Sequence, residues 1–236
     1  MNVLATSALI YKNGTYFEKN PLWHAEHSAW KAAQIVKMIR RAKLTPKTIC
    51  EVGCGAGGVL RHIQANVDSE CHLQGFDISP YAINLCGPRA NERLRFTLIE
   101  GEDDIPGPFD LLVSIDVVEH VEDYLGHLRR LRPKALFKIF HVPLDLSVQS
   151  VLRGRGLTNR RDSHAHLHYF TKETFLRSLS DVGYEVQHAF YTRRSIEIGS
   201  GFRQRLVALP RRLAFKLDQD IAARVFGGFS LAVLAT

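Results

Sequence analysis

Short apolar runs alternate along the chain with amphipathic stretches and breakers, a rhythm that predicts strand, helix, strand and a mostly parallel sheet. Over 24–42, Trp30, Ile35, Val36 and Ile39 recur at helical spacing, and Pro46 parts that leading helix from a first strand at Thr48–Val52. The Gly53–Gly58 loop opens a helix over 58–65. A second strand, His72–Asp77, stops at Ser79-Pro80, where a serine cap and a proline at the first helical position start the next helix. Residues 94–100 read as the third strand. Residues 110–114 (DLLVS) are apolar enough for a fourth strand covered on both faces, followed by a helix over 119–131 and a fifth strand over 135–142.

Beyond the fifth strand the rhythm weakens. Residues 143–162 hold Pro, Gly and four arginines with no clear period and read as a surface loop or lid. A helix over 171–182 opens on Thr171 with Thr174 where a capping box has Glu or Gln. Strands follow at 185–191 and 229–235, separated by a basic insertion over 192–225. Five β/α steps and two further strands, with no second mononucleotide-binding half, make 1–236 one domain: an N-terminal segment (1–46), a core (47–142), a lid (143–170) and the insertion.

The 236 residues are 45% hydrophobic and 9% aromatic, which excludes a disordered or collagen-like chain. Cys50, Cys54, Cys71 and Cys86 form no CxxC pair, so neither a disulfide scaffold nor a zinc ribbon is indicated. No apolar run reaches the roughly 18–20 residues of a membrane span, and Met1–Ala5 lacks a basic signal region. A soluble, unprocessed, cytoplasmic protein is expected. The net charge of +7 is uneven: 1–150 carry 17 Lys/Arg against 17 Asp/Glu, and 151–236 carry 14 against 7. An anionic partner would be met in the last third, although a solvated basic face has the same composition.

Glu51-Val52-Gly53-Cys54-Gly55-Ala56-Gly57-Gly58 lets backbone approach a ligand at the carboxyl edge of the sheet. The loop satisfies two patterns: Gly53, Gly55 and Gly58 fit the GxGxxG of dinucleotide binders, and Gly53, Gly55 and Gly57 the GxGxG of methyl-donor binders. Asp77 would take ribose hydroxyls in either case. A pyrophosphate wants positive potential, whereas S-adenosylmethionine carries a sulfonium and an ammonium. Carboxylates stand at successive strand ends here (Glu51; Asp77; Glu102, Asp103 and Asp104; Asp116 and Glu119), which favours the cationic ligand.

CEVGCGAGGVL, GFDIS, FDLLVSIDVVEHVED and HLHYFTKETFLRSLSDVGYEV, in that order over 24–191, resemble the class I S-adenosylmethionine-dependent methyltransferases, small-molecule members included. The resemblance implies a seven-stranded Rossmann-like α/β sheet, mostly parallel with an antiparallel last strand and helices on both faces. It implies that Gly53, Cys54, Gly55 and Gly57 cradle the methionine moiety, that Asp77 binds the ribose, that Ile78 packs on adenine, and that Glu102 or Asp103 meets the adenine amine. Glu51 and Asp116 would border the donor, and WHAEHSAWKAAQI resembles the helix that caps it.

An oxygen or protonated-amine acceptor needs a base, for which histidine suits neutral pH. His141 ends the fifth strand. His164, His166 and His168 alternate on a segment read as extended, so they would share one face. His141, His166 and His168 are the catalytic candidates. Asp116-x-x-Glu119-His120 with His166 or His168 also has divalent-metal spacing and resembles the metal site of small-RNA 3'-terminal 2'-O-methyltransferases and of some ubiquinone-pathway O-methyltransferases. Glu-His after the fourth strand equally borders the donor in enzymes without a metal, and no metal ligand is assigned. The basic-apolar run 202–217, broken at Pro210, has three readings: peripheral contact with an anionic membrane, a grip on nucleic-acid phosphates, or a cover for the sheet edge that shapes the acceptor pocket. Nucleic acid ranks last because no aromatic-interleaved basic groove is visible. The sequence thus reads as a methyltransferase using S-adenosyl-L-methionine on a small-molecule or carrier-linked acceptor, at oxygen. The alternatives are a metal-dependent 2'-O-methyltransferase on RNA ends, a non-catalytic donor-binding protein, and a nicotinamide-linked oxidoreductase.

Overall fold

A computed structural model describes residues 6–23, 25–193 and 211–236. Its centre is a sheet of β1 (Thr48–Val52), β2 (His72–Asp77), β3 (Leu94–Leu98), β4 (Phe109–Ile115), β5 (Ala135–Pro143), β6 (Val186–Thr192) and β7 (Ser230–Ala235). The strand order is β3-β2-β1-β4-β5-β7-β6. The first five strands pair in parallel, and β7 runs antiparallel between β5 and β6, the topology the sequence implied. Parallel strands with both faces covered need continuous apolar runs, and Leu111, Leu112 and Val113 of β4 are fully buried as DLLVS anticipates.

On one face, α3 (Ser28–Arg41) and α4 (Gly58–Gln64) set Ile35, Met38, Ile39, Leu60 and Ile63 against the sheet. On the other, α6 (Tyr124–Leu131) and α9 (Lys172–Asp181) set Leu128, Leu131, Phe175 and Leu179 against Phe140 and Leu112. Two short N-terminal helices, α1 (Thr6–Lys12) and α2 (Thr15–Lys19), lie beside α5 (Pro80–Cys86), where Phe17 stacks on Tyr81. Among the described residues no helix is long and apolar enough to cross a membrane.

Three expectations change. The 143–162 loop contains helices α7 (Val148–Leu152) and α8 (Gly156–His164). A reciprocal capping box between Ser147 and Ser150 starts α7, while α8 buries none of its side chains and so has no apolar period to read. The 119–131 helix begins only at Tyr124, capped by Asp123; Val118–His120 is a single 3₁₀ turn. The Thr171/Thr174 box, imperfect on paper, closes with threonine hydroxyls on both sides. Residues 202–210 and His24 lie outside the described residues; 211–217 are helical and precede α10 (Gln219–Phe226).

Candidate active site

The glycine loop emerges from β1 directly beneath the N-terminal segment. Gly53 has φ +74°, and a Cβ there would come within 2.4 Å of Val117 Cγ2; Gly55 has φ +53°, with Trp23 Cδ1 2.5 Å from its would-be Cβ. Both positions therefore require glycine, for conformation and for room. The Gly55 amide donates to Asp77 Oδ2 at 2.8 Å and the Ser79 amide to Oδ1 at 2.9 Å, which fixes the β2 carboxylate against the loop while lone pairs remain. Burial still lifts the Asp77 carboxyl above its usual value.

A cavity of about 200 Å³ opens at the carboxyl ends of β1, β4 and β5. Glu51, Gly53, Cys54, Gly55, Asp116, His141 and His166 all border it. Gly57, Asp77, Ile78, Glu102, Asp103 and His168 do not. Asp77 stands behind Gly55, and Tyr11 covers that side by accepting from Ser79 Oγ through its carbonyl. Glu102 is taken up by His127 Nδ1 at 2.5 Å and Arg130 Nε at 2.8 Å. Burial opposes its ionisation, but these two donors outweigh it and hold the carboxyl at about 2. Asp103 is exposed and Ile78 packs into the core.

Of the three alternating histidines, His164 and His166 both border the cavity, with ring centroids 5.6 Å apart, and His168 does not. His164 ends α8 and Ala165 turns the chain with φ +61°, so the segment is not extended there. His166 then turns into the cavity, whereas His168 Nε2 bonds the carbonyls of Val121 and Glu122 at 3.0 and 3.1 Å. Backbone bonds from Leu167 and His168 to the Glu119 carbonyl hold the two chain segments together.

Two carboxylate–histidine pairs result. Asp116, with φ +53°, accepts from Lys31 Nζ and from His141 Nδ1, each at 2.8 Å, and His141 Nε2 bonds Thr192 Oγ1 at 2.9 Å. Lys31 and His141 overcome burial and hold the Asp116 carboxyl well below its usual range. His141 is only 2% exposed and engaged at both nitrogens. In the second pair, His166 Nδ1 donates to Asp145 Oδ2 at 2.5 Å, and His166 Nε2 has no partner among the described residues. Burial first, and then the bond to His166 that outweighs it, leaves the Asp145 carboxyl below its usual value.

Glu119, His120 and His166 also bring ligand atoms within 4.8 Å of one another. Glu119 is fully buried with neither oxygen hydrogen-bonded, and burial and the nearby Asp116 push its carboxyl well above the usual range. His120 Nδ1 lies 3.1 Å from the Ala165 carbonyl and 3.1 Å from Tyr11 Oη. Burial and the neighbouring His166 lower its pKa to about 3, so the ring is a neutral ligand or base near pH 7. Asp116 is not part of this cluster.

Sequence reasoning did not single out Asp145, Thr192 or Tyr16, and took Trp23 and Lys31 only as part of the capping segment WHAEHSAWKAAQI. Each reaches the site from an element remote in sequence, and only Asp145, two residues past β5, stood where a strand-end carboxylate signal applies.

A sequence profile described as a methyltransferase domain matches residues 23–189. Ajmaline N-methyltransferase of Rauvolfia serpentina is 31% identical over 114 residues, 43% of this chain and 38% of that protein. Ubiquinone biosynthesis O-methyltransferase of Thiobacillus denitrificans is 29% identical over 113 residues, 43% of this chain and 47% of that protein. The matched stretch thus spans less than half the length of either relative. Magnesium protoporphyrin IX methyltransferase of Synechocystis, solved with bound S-adenosylhomocysteine, superposes with a TM-score of 0.63 at 14% identity over 97% of this chain and 98% of that one. An S-adenosylmethionine-dependent methyltransferase of Mesorhizobium loti gives 0.55 at 17% identity, over 83% and 94%. At such identities the likeness is one of fold.

Proposed function

Because the chain belongs to the methyltransferase domain family, we propose that it is an S-adenosylmethionine-dependent methyltransferase acting on a small-molecule or carrier-linked acceptor, at oxygen. The observation that carries the reading is the pairing, across one cavity, of an acidic glycine-loop side with a carboxylate-oriented histidine whose second nitrogen has no partner among the described residues. We take the whole of 1–236 to serve this site, 1–46 covering the donor, 47–142 holding it, and 143–170 and 192–225 shaping the acceptor side.

The residues present fit the donor. Its cationic centre suits Glu51, whose Oε2 is buried without a partner, and Tyr16 and Trp23, whose rings border the same space. When bound, S-adenosylmethionine supplies an electrophilic methyl group. The Gly53–Gly58 backbone would cradle its methionine end, Asp77 would receive the ribose hydroxyls behind Gly55, and Glu51 would offset positive charge, with Asp116, already paired with Lys31, bordering the donor. In-line displacement requires the acceptor atom opposite the sulfur, about 3 Å from the methyl carbon. On that side Asp145 fixes the His166 ring and its tautomer, and Nε2 takes the proton of an acceptor hydroxyl. His141, engaged at both nitrogens, positions Asp116 and Thr192. The cavity is smaller than the roughly 300 Å³ at which ligand pockets begin, so a whole donor would require Tyr16 and Trp23, and Tyr11 over Asp77, to give way.

The test is turnover on hydroxyl and amine acceptor series with His166→Ala. Loss confined to hydroxyl acceptors supports oxygen transfer with this base; equal rates on both series with the variant would sink it.

A second reading, a metal-assisted transfer, is favoured by one observation. Glu119 is buried and unbonded beside two histidines, each with Nδ1 engaged, which is how metal-binding imidazoles are oriented. Glu119, His120 and His166 would hold the ion, which would polarise an acceptor oxygen. Metal analysis of the purified protein, and activity after chelation, separates the readings.

A further inference from the structure

The last third of the chain turns an apolar, cationic face to solvent beside the mouth of the cavity. Leu152, at the end of α7, is 81% exposed, and Leu217, in the 211–217 helix, is 87% exposed. Val148 and Val151 of α7, Leu213 of the 211–217 helix and Ile221 of α10 join them, each more than half exposed. The three helical pieces meet: α7 packs on α10, and Arg211 Nη2 donates to Gln149 Oε1 at 2.8 Å and to the Phe226 carbonyl at 3.1 Å. The inward sides of the 211–217 helix and of α10 are already filled, by Phe215 stacked on Phe229 at 5.1 Å and by the buried Ala222 and Ala223. The outward leucines, four residues apart at 213 and 217, are therefore surplus to the core rather than an imperfect part of it.

Charge around this patch is mostly positive. Arg153 and Arg155 follow α7 and are exposed, and Lys216 stands between the two leucines of its helix. Of the nearby carboxylates Asp220 and Glu173 are paired with cations, and Asp218 keeps its charge against Arg153, Arg155 and Lys216. Asp218 caps α10 through the Ile221 amide, Asp220 holds Lys172 and Tyr191, and Glu173 holds Arg224. Apolar side chains that stand out of the surface among an excess of cations complement an anionic bilayer, whose headgroups meet the cations while the leucines enter the acyl boundary. A soluble acidic partner would satisfy the arginines and leave the leucines in water.

We propose that α7, residues 211–217 and α10 form a docking surface for an anionic membrane. The cavity opens beside it: Arg160, His164 and His166, next along the chain after α7, and Gly228, Phe229 and Ser230, directly after α10, border the cavity. Docking by this face brings the side where the acceptor enters next to the lipid. The inference stands apart from the donor reading, because vesicle binding requires no donor.

The experiment is flotation of the full chain with vesicles of phosphatidylcholine alone and of phosphatidylcholine and phosphatidylglycerol in equal parts. Binding is expected on the anionic vesicles only, weakening as salt is raised. Leu152→Ser with Leu217→Ser should lower partitioning at least about tenfold, from the lost apolar burial. Charge reversal at Arg153 and Lys216 should weaken binding similarly, while Leu136→Ser, an exposed leucine at the amino end of β5, the end away from the cavity, should change nothing. Unaltered melting of the variants shows that they are folded. No binding, equal binding to neutral vesicles, or loss of binding with Leu136→Ser as well would overturn the proposal. So would concentration-dependent self-association of the wild type that the double leucine variant abolishes, which would make the face a contact between copies.

Discussion

The two sides of the cavity are built by different means. On the donor side, backbone holds side chain: the Gly55 and Ser79 amides fix Asp77, and the glycines lie within one turn between a strand and its helix. On the acceptor side, side chain holds side chain across the fold: His166 on Asp145 and His141 on Thr192. The donor side is local geometry that a short spacing encodes. The acceptor side exists only once the sheet has assembled, and its specificity can change without disturbing the donor.

The largest expected effect falls on the acceptor side. Asp145→Asn should leave the His166 ring without a fixed tautomer and lower kcat on hydroxyl acceptors by about 10²–10⁴-fold, the range a positioned base contributes, with donor affinity unchanged. A matched fall in donor affinity would erase the division between the two sides. Gly55→Ala is the counterpart: at φ +53°, with Trp23 where the new methyl would go, strain of about 1–3 kcal/mol should weaken S-adenosylhomocysteine binding roughly ten- to hundredfold by calorimetry.

Glu102→Gln separates fold from site. Its carboxyl, held at about 2 against an ordinary value near 4.5, contributes stability that is present above pH about 4.5 and lost as pH falls toward 2. For a side chain partly open to solvent this amounts to roughly 1–2 kcal/mol in urea denaturation at pH 7. The difference between variant and wild type should shrink at pH 3, and donor affinity should not change. The smallest effect is a proton. Burial lifts the Glu51 carboxyl well above its usual range, and a cationic donor beside it favours ionisation, so binding should release part of a proton. Affinity should then rise with pH up to the free protein's Glu51 pKa, and the binding enthalpy should depend on the buffer.

The same division governs what could be read from the chain. β1 and β2 were placed to the residue, because an apolar run ends in each case at a glycine loop or a Ser-Pro cap that leaves little freedom. Glu51, Gly53, Cys54, Gly55 and Asp116 arrive together at the cavity because they sit at ends of neighbouring strands, a consequence of strand order. Alternation put His164, His166 and His168 on one face; the first two do border the cavity, across a left-handed turn at Ala165 that nothing in HAHLH announces, while His168 turns to the Val121 and Glu122 carbonyls. Spacing alone grouped Asp116 with Glu119 and His120, whereas the positive φ of Asp116 turns it toward Lys31 and His141. Helix α8 escaped notice because a helix polar all round has no period, and Asp145 because its partner lies 21 positions away.

The most direct measurement is calorimetric titration of the protein with S-adenosylhomocysteine and, separately, with NADH, repeated on Asp77→Ala. The acidic, glycine-lined site predicts that S-adenosylhomocysteine binds, that the substitution weakens it at least about tenfold by removing the ribose acceptor, and that NADH does not bind. Binding of NADH alone would contradict the account and return the glycine loop to its dinucleotide reading.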